Sequence, residues 1–290
     1  LRDFHEALRQ AGQVRVTPEN VEESLILFDS LFDQRLQAER ERNARGRSMA
    51  YFPLNNRESL EVQAFRKTLK GFVSREASFL PEYHPLAGEL SFGRDEELMY
   101  AGYPLVGSVD RIDVDDRGNA VILDYKGSAG AGYNHFTKET KEASDGAAAG
   151  AAAGAAAGTD GIALATLPQK VQALIYAQVV RRKLDVNPVG ALYVSYGKAS
   201  GCAGLFDALK LDPQKDLVNI AAKYCETTSF LDTLDQVEEA IAARLDGIRV
   251  GRIEPCPSDD ACKWCEVAGV CQQLRRGQLQ VNQPNQADQI

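Results

Sequence analysis

The stretch GSVDRIDVDDRGNAVILDYKGS, residues 107–128, decides the fold predicted for this 290-residue chain. Two runs rich in apolar residues flank the turn signal DDRGN, a pattern typical of two neighbouring antiparallel strands. Asp110 lies inside the first strand, and Asp124 and Lys126 lie near the end of the second. Because side chains alternate with period two, Asp124 and Lys126 project from one strand face. If the strands pair, Asp110 and Asp124 converge at one end of the sheet.

Two converging carboxylates and a backbone carbonyl, that of Tyr125, form a hard-oxygen site suited to Mg²⁺ or Mn²⁺. A lysine beside a water bound to such an ion can orient that water and neutralise charge developing on a phosphate. We therefore predict a metal site at Asp110 and Asp124, with Lys126 as its electrostatic partner. Asp113 is predicted to pair with Arg111 or a nearby backbone group rather than with metal.

The spacing of apolar residues around this hairpin alternates between helical and strand periods. Helices are predicted over Arg2 to Gln37 (interrupted at Gly12 to Pro18), Glu58 to Phe79, Pro168 to Leu184 and Asp232 to Val250. An antiparallel meander is predicted over Glu89 to Phe92, Met99 to Tyr103, Gly107 to Val114 and Ala120 to Tyr125, followed by a buried strand at Val189 to Tyr196. The order of elements predicts an α/β fold, with a strand, helix, strand unit after the meander.

Composition limits the class of protein. Hydrophobic residues make up 44% and charged residues 26%, which suits a soluble globular chain, and no apolar run reaches the roughly 18–20 residues that span a bilayer. The opening residues lack a secretion signal, so we predict a cytoplasmic protein without membrane partners. The net charge of −8 argues against passive binding to nucleic acid but not against a metal-dependent nucleic-acid enzyme. A start at Leu1 inside a predicted helix suggests a fragment truncated at its N-terminus.

Two biased segments leave alternatives open. The arginine-rich run from Arg35 to Arg47 is predicted to be a solvated helix face or loop, or a contact with a DNA backbone. The Ala/Gly tract at about 143–160 is predicted to be a poorly ordered surface loop. All six cysteines lie between Cys202 and Cys271, and this clustering favours metal or cluster ligation over disulfides in a cytosolic chain.

The motif residues resemble a known family. Asp110, Asp124 and Lys126 match the motif of the PD-(D/E)XK nuclease superfamily, in the version carried by RecB-like nuclease domains. That version adds a Gln and a Tyr four residues apart on the following helix, here Gln172 and Tyr176 in LPQKVQALIYAQVV, where the spacing places both on one helix face. The resemblance implies a restriction-endonuclease-like core, a mixed central sheet flanked by helices, and catalytic roles for all five residues. Glu89 in PLAGELSFG is a candidate second metal ligand or a strand cap.

A second resemblance lies in CPSDDACKWCEVAGVC, residues 256–271. Cys262, Cys265 and Cys271 are spaced as in the iron-sulfur staple of the AddB subunit of bacterial helicase-nucleases. The family's fourth cysteine, and a histidine of its active site, would precede Leu1, with His5 as an alternative for that histidine. This implies a [4Fe-4S] cluster in the full-length protein, and a partial cluster or zinc in this fragment, with Cys256 as a possible fourth thiolate.

Together the resemblances imply a Mg²⁺-dependent DNA exonuclease domain of a RecB-like or AddB-like subunit, acting in double-strand break repair with an AddA-like helicase partner. The alternatives are a catalytically silent DNA-binding or scaffold module of the same fold, and a cluster-bearing redox or regulatory module. The predicted division is a helical N-terminal part at 1–80, the nuclease core at 81–250, and a Cys-rich staple with a polar tail at 251–290.

Overall fold

The fold is built on a six-stranded mixed sheet. The computed structural model describes residues 1–45, 56–129, 133, 170–197, 201–217, 221–252, 265–267 and 270. Its helices are α1 (Arg2–Gln10), α2 (Val21–Ala44), α3 (Asn56–Glu76), α4 (Gln172–Lys183), α5 (Pro213–Asp216) and α6 (Phe230–Arg249). Its strands are β1 (His84–Phe92), β2 (Met99–Tyr100), β3 (Tyr103–Pro104), β4 (Gly107–Val114), β5 (Asn119–Lys126), β6 (Asn187–Ser195), β7 (Gly201–Asp207) and β8 (Ala221–Thr227).

The large sheet has the strand order β1-β4-β5-β6-β7-β8. Strands β5 and β6 run parallel, as do β7 and β8, while the other neighbours are antiparallel. Helix α4 connects β5 to β6 as a crossover, because parallel neighbours cannot be joined by a tight turn. The predicted mixed central sheet, and the strand, helix, strand unit after the meander, are therefore confirmed.

Each face of the sheet packs on different helices, as strand alternation requires. Ile112 and Ile122 lie in a core with residues of α4 and α6, including Leu174 and Leu234. Val121 and Leu123, on the opposite face, pack in a second core with Phe72 of α3. A third cluster joins the N-terminal helices to one another, through Phe4, Leu8, Phe28 and Val73. The sheet is thus flanked by helices, and residues of β4 and β5 reach two different environments.

The end of α3 is fixed by Arg15, which precedes α2. Its guanidinium donates hydrogen bonds to the carbonyls of Leu80 at 2.6 Å and Tyr83 at 3.1 Å, and to that of Glu76 at 3.3 Å. The last carbonyls of a helix lack partners within the helix, so a cation there satisfies them. This contact fixes the position of Glu76, which matters for the site below.

Several predictions need correction. Met99 to Tyr103 is not a strand of the meander, because positive φ values at Ala101 and Gly102 turn the chain there and β2 pairs with β3 in a separate two-stranded sheet. Strands β7 and β8 were not predicted. Helix α2 continues to Ala44, so the described part of the arginine-rich run is helix, and α3 ends at Glu76 rather than Phe79. The Ala/Gly tract and most of the cysteine segment lie outside the described residues.

The chain separates into two compact units, Leu1–Ala242 and Ala243–Ile290. The first contains both sheets and the cores described above. The described part of the second includes the end of α6, where Arg252 N donates to the Gly247 carbonyl at 2.9 Å. Within the described residues, no helix is long and apolar enough to cross a membrane.

Candidate active site at the ends of β4 and β5

Asp110 and Asp124 occupy neighbouring positions on paired strands. The β4–β5 ladder pairs Arg111 with Leu123, and one further step in the same register sets Asp110 opposite Asp124. At that step the Asp110 carboxylate, through Oδ2, accepts a hydrogen bond from the Tyr125 backbone N–H at 2.8 Å. The structure therefore brings the two predicted carboxylates together where the hairpin ladder ends.

Asp124 is a buried carboxylate with an incomplete set of partners. Its residue is 2% exposed, and Oδ2 lies 2.5 Å from Lys126 Nζ. Despite this ion pair, Oδ2 receives no hydrogen bond of normal geometry within the described residues. Burial raises the pKa of Asp124, and the nearby Asp110 charge raises it further, while the Lys126 ammonium opposes both. An anion so placed favours an additional positive charge.

Lys126 connects the carboxylates to α4. Burial opposes the charge of Lys126, but the Asp124 carboxylate outweighs it, so the pKa of Lys126 is raised and the ammonium form is favoured. Its Nζ donates to Gln172 Oε1 at 3.2 Å, and Gln172 Nε2 donates to the Tyr176 hydroxyl at 2.9 Å. The side chains of Lys126, Gln172 and Tyr176 therefore form one hydrogen-bonded chain leading away from the carboxylates.

The first two turns of helix α4 carry Gln172 and Tyr176 of this hydrogen-bonded series. Gln172 is its first residue, and the i, i+4 spacing places Tyr176 one turn further on the same face. The Tyr176 ring packs edge-to-face on Phe92, with ring centroids 5.6 Å apart. Tyr193 of β6, the register partner of Asp124, accepts the Ala173 N–H through its hydroxyl at 3.1 Å and so ties the start of α4 to the sheet.

Glu89, on β1, lies beside the two aspartates of β4 and β5. Gly88 pairs with Arg111 and Leu90 with Val109, so Glu89 falls opposite Asp110. Its φ is +58°, an uncommon conformation for a residue with a side chain. Its carboxylate forms an ion pair with Arg2. Both the ligand and the cap role of Glu89 stay predictions.

A buried polar cluster on the other face of the same strands was missing from the sequence prediction. We call it the arginine cluster: Arg111, Asp113, Glu76, His5 and Tyr125. Arg111 donates to both oxygens of Asp113, from Nε at 2.6 Å and from Nη2 at 2.8 Å. Its Nη1 contacts Glu76 Oε1 and donates to the Tyr125 hydroxyl at 3.2 Å. The pairing of Asp113 with Arg111 was predicted, whereas the Glu76 contact was not.

Charge pairing dominates the electrostatics of the arginine cluster. His5 Nε2 lies 3.1 Å from Arg111 Nη1 and 3.4 Å from Glu76 Oε1. Burial opposes the charge of Glu76, but Arg111 and His5 outweigh it and hold its pKa at about 2. Burial likewise opposes the charge of Arg111, and Asp113 and Glu76 outweigh it to raise its pKa. The sequence signal for this cluster was the pair Arg111 and Asp113, two residues apart on a predicted strand.

The carboxylate site fits a divalent cation by its chemistry. Carboxylate and backbone carbonyl oxygens are the ligands that Mg²⁺ prefers, and Oδ2 of Asp124 is buried without a hydrogen bond. In the part of the chain that the structure describes, no group of three or more His, Cys, Asp or Glu side chains is arranged to hold a metal ion. A site built on the two carboxylates of Asp110 and Asp124 suits an ion that keeps several waters.

The cysteine predictions fall largely outside the described residues. Cys256, Cys262 and Cys271 are not described, and Cys265 is exposed. Cys202 is buried in β7, where burial raises the pKa of its thiol to about 12, so it stays protonated and unreactive. The proposed iron-sulfur or zinc ligands therefore stay a prediction.

Comparison with known proteins gives one result at the level of a family. No curated protein matches the chain. The profile of the PD-(D/E)XK nuclease superfamily matches residues 2–272, a range that contains Asp110, Asp124 and Lys126. Members of this superfamily are generally hydrolytic nucleases that use divalent metal ions. Because the match covers most of the sequence and the mixed sheet with flanking helices agrees with it, this chain belongs to the PD-(D/E)XK nuclease superfamily.

Proposed function

We propose that this chain is a Mg²⁺- or Mn²⁺-dependent deoxyribonuclease domain that hydrolyses phosphodiester bonds at the Asp110 and Asp124 site. One observation carries the proposal. Asp124 is a buried carboxylate with a raised pKa, paired with Lys126 and set opposite Asp110 at the end of the hairpin ladder. Two neighbouring carboxylates repel each other, and burial of one adds to the cost of its charge, so the pair favours a bound cation.

The residues have separate tasks in this proposal. Asp110, Asp124 and the Tyr125 carbonyl would hold the ion, which supplies a bound water of lowered pKa and positive charge for the phosphate. The Tyr125 N–H fixes the Asp110 carboxylate by its hydrogen bond. Lys126 stays protonated beside Asp124 and places an ammonium where charge builds on the phosphate.

Gln172 and Tyr176 are positioning residues. Gln172 Oε1 accepts from Lys126, and the Tyr176 hydroxyl accepts from the Gln172 amide. These two hydrogen bonds limit the rotamers of Lys126, whose flexible side chain would otherwise sample many positions. A fixed ammonium is worth more to the transition state than a mobile one, because it needs no reorganisation during the reaction.

We further propose, from the motif resemblance, a RecB-like or AddB-like exonuclease domain in double-strand break repair. In that proposal the partners are DNA and an AddA-like helicase subunit. A [4Fe-4S] cluster at Cys262, Cys265 and Cys271 belongs to the same proposal, with Cys256 as an alternative ligand for a smaller zinc site. Metal analysis of anaerobically purified protein, with and without Cys256→Ser, tests the cysteine assignments.

Digestion of end-labelled linear DNA by the purified chain tests the nuclease proposal. Cleavage is expected with Mg²⁺ or Mn²⁺ and is expected to disappear in EDTA, in Asp124→Ala and in Lys126→Ala. Arg57→Ala, at an exposed ion pair on α3, is the matched control for loss of a charged side chain. Equal cleavage in EDTA, or full cleavage by both site variants, would contradict the assignment. DNA binding without cleavage under every metal condition would favour the silent DNA-binding module instead.

A further inference from the structure

A cleft of about 440 Å³ opens beside the candidate catalytic carboxylates. Phe65 and Leu69 of α3 line one side, and Tyr125 and Tyr196 at the ends of β5 and β6 line another. Glu89 and Asp110 also line it. The cleft therefore joins an apolar, aromatic wall to one of the residues assigned to the reaction.

The aromatic wall is accessible to a ligand. Phe65 is 48% exposed, so its ring can be reached from the cleft. Its ring meets that of Tyr196 edge-to-face, with centroids 6.2 Å apart and planes at 83°. Two rings that face a cleft and touch each other form a rigid surface, because aromatic side chains have few rotatable bonds.

The charges in the cleft select against an anionic occupant. Among the side chains that line the cleft, those of Glu89 and Asp110 are acidic, and the Arg2 guanidinium is already paired with Glu89. A phosphate in this cleft would meet repulsion unless a cation accompanied it. A flat, uncharged ring system meets no such repulsion and gains contact with the aromatic wall. The chemistry of the cleft thus fits a nucleobase better than a phosphate group.

We propose that Phe65, held by its edge-to-face contact with Tyr196, stacks on one unpaired nucleobase of the DNA strand being cut. The inference rests on the proposed nuclease function. It adds that the bound DNA has one base unstacked next to Asp110. Stacking on aromatic side chains tolerates every base, since all four present a π face. The site therefore selects for strand separation at the point of cleavage rather than for sequence.

Binding of a labelled oligo-dT strand to the Asp124→Asn protein, followed by fluorescence anisotropy in Ca²⁺, tests the stacking site without cleavage. Phe65→Ala is expected to weaken binding by about fivefold or more, the effect of losing one base–aromatic stack, and Tyr196→Ala to weaken it less, because it removes only the ring that holds Phe65 in place. Phe65→Trp is expected to retain binding. Leu60→Ala is the matched control, because Leu60 is an exposed apolar residue of the same helix outside the cleft. Thermal melts of each variant identify any loss of fold.

An abasic scan of the oligonucleotide locates the base. One abasic position is expected to weaken binding to the Asp124→Asn protein by the same factor as Phe65→Ala, and to have no further effect in the Phe65→Ala double variant. Equal binding by Phe65→Ala and Leu60→Ala, or a scan without any sensitive position, would overturn the stacking site alone. Failure of the unsubstituted protein to bind any DNA in Ca²⁺ would overturn the proposed function as well.

Discussion

The same two strands carry an open site on one face and a closed cluster on the other, and the difference separates function from stability. Asp124 and Lys126 share a face with the core under α4, and burial outweighs their ion pair, so the pKa of Asp124 is raised. On the opposite face of the same strands, Arg111 of the arginine cluster donates hydrogen bonds to both oxygens of Asp113. In the arginine cluster, charge pairing outweighs burial and holds the pKa of Glu76 at about 2, as expected of a structural network, whereas a buried carboxylate left with a raised pKa is a candidate for chemistry.

The largest effect is expected from Asp124→Asn. Cleavage is expected to fall at least about a thousandfold, since losing a ligand removes several kcal/mol of transition-state stabilisation. The melting temperature without metal is expected to stay equal or rise, because the substitution removes a buried charge whose pKa is raised by desolvation. Cleavage assays and thermal melts measure the two effects. Asp113→Asn, the matched change at a buried carboxylate on β4, is expected to lower the melting temperature. An equal fall in melting temperature in both variants would show that the two carboxylates do not differ in their contribution to stability.

Arg111→Met is expected to have the largest effect on stability. The substitution leaves Asp113 and Glu76 buried without their cation, and breaking a buried pair in this way costs about 3–5 kcal/mol of the free energy of unfolding. Urea denaturation measures it. Arg57→Met is the control, because the exposed pair of Arg57 with Glu61 is worth less than about 1 kcal/mol. Similar losses in the two variants would show that the cluster contributes no more than surface charge.

Glu76 is expected to make stability depend on pH. Its pKa falls from 4.5 to about 2 on folding, so its contribution is complete above the unfolded pKa and is lost as pH falls from about 4.5 towards 2. Glu76→Gln is expected to flatten the fall in the free energy of unfolding across this window. Glu22→Gln, at an exposed position of α2, is the control. An unchanged pH slope in Glu76→Gln would contradict the charge pairing of the cluster.

The smallest effect is expected at the end of the hydrogen-bonded chain. Gln172→Ala is expected to slow cleavage about tenfold, the equivalent of about 1.4 kcal/mol, because Lys126 loses the acceptor that positions it. Its stability is expected to change by less than about 1 kcal/mol. Tyr176→Ala is expected to cost more, about 1–3 kcal/mol of stability, because its partly buried ring packs on Phe92. If the Gln172 variant proves as unstable as the Tyr176 variant, both residues belong to the structure rather than to the site.

Much of the sheet, and the candidate site with it, could be predicted from the sequence. Strand β4 has the predicted bounds, and the period-two pattern placed Asp124 and Lys126 on one face. The i, i+4 spacing placed Gln172 beside Tyr176, which the hydrogen bond between them confirms. These features depend on neighbours in the chain, or on one hairpin, and such neighbours impose their geometry locally.

Other features could not be predicted because they join distant parts of the chain. Strands β7 and β8 lack a polar and apolar alternation, since residues of β7 are buried on both faces, and the separate β2–β3 hairpin follows from backbone turns at Ala101 and Gly102. In the sequence, Glu76 has nothing to distinguish it from other helix residues. Its contact with Arg111, 35 residues along the chain, forms only when α3 packs on the sheet.

The sequence by itself thus determined which residues are candidates for the chemistry, and the tertiary structure decided what surrounds them. Asp110, Asp124 and Lys126 were identified by type and spacing alone. The contact of Phe65 with Tyr196, and the cleft beside Asp110, exist only because α3 lies against the ends of β5 and β6. The physical reason is that strand and helix periods are set by local backbone geometry, whereas burial and charge pairing depend on which surfaces meet after folding.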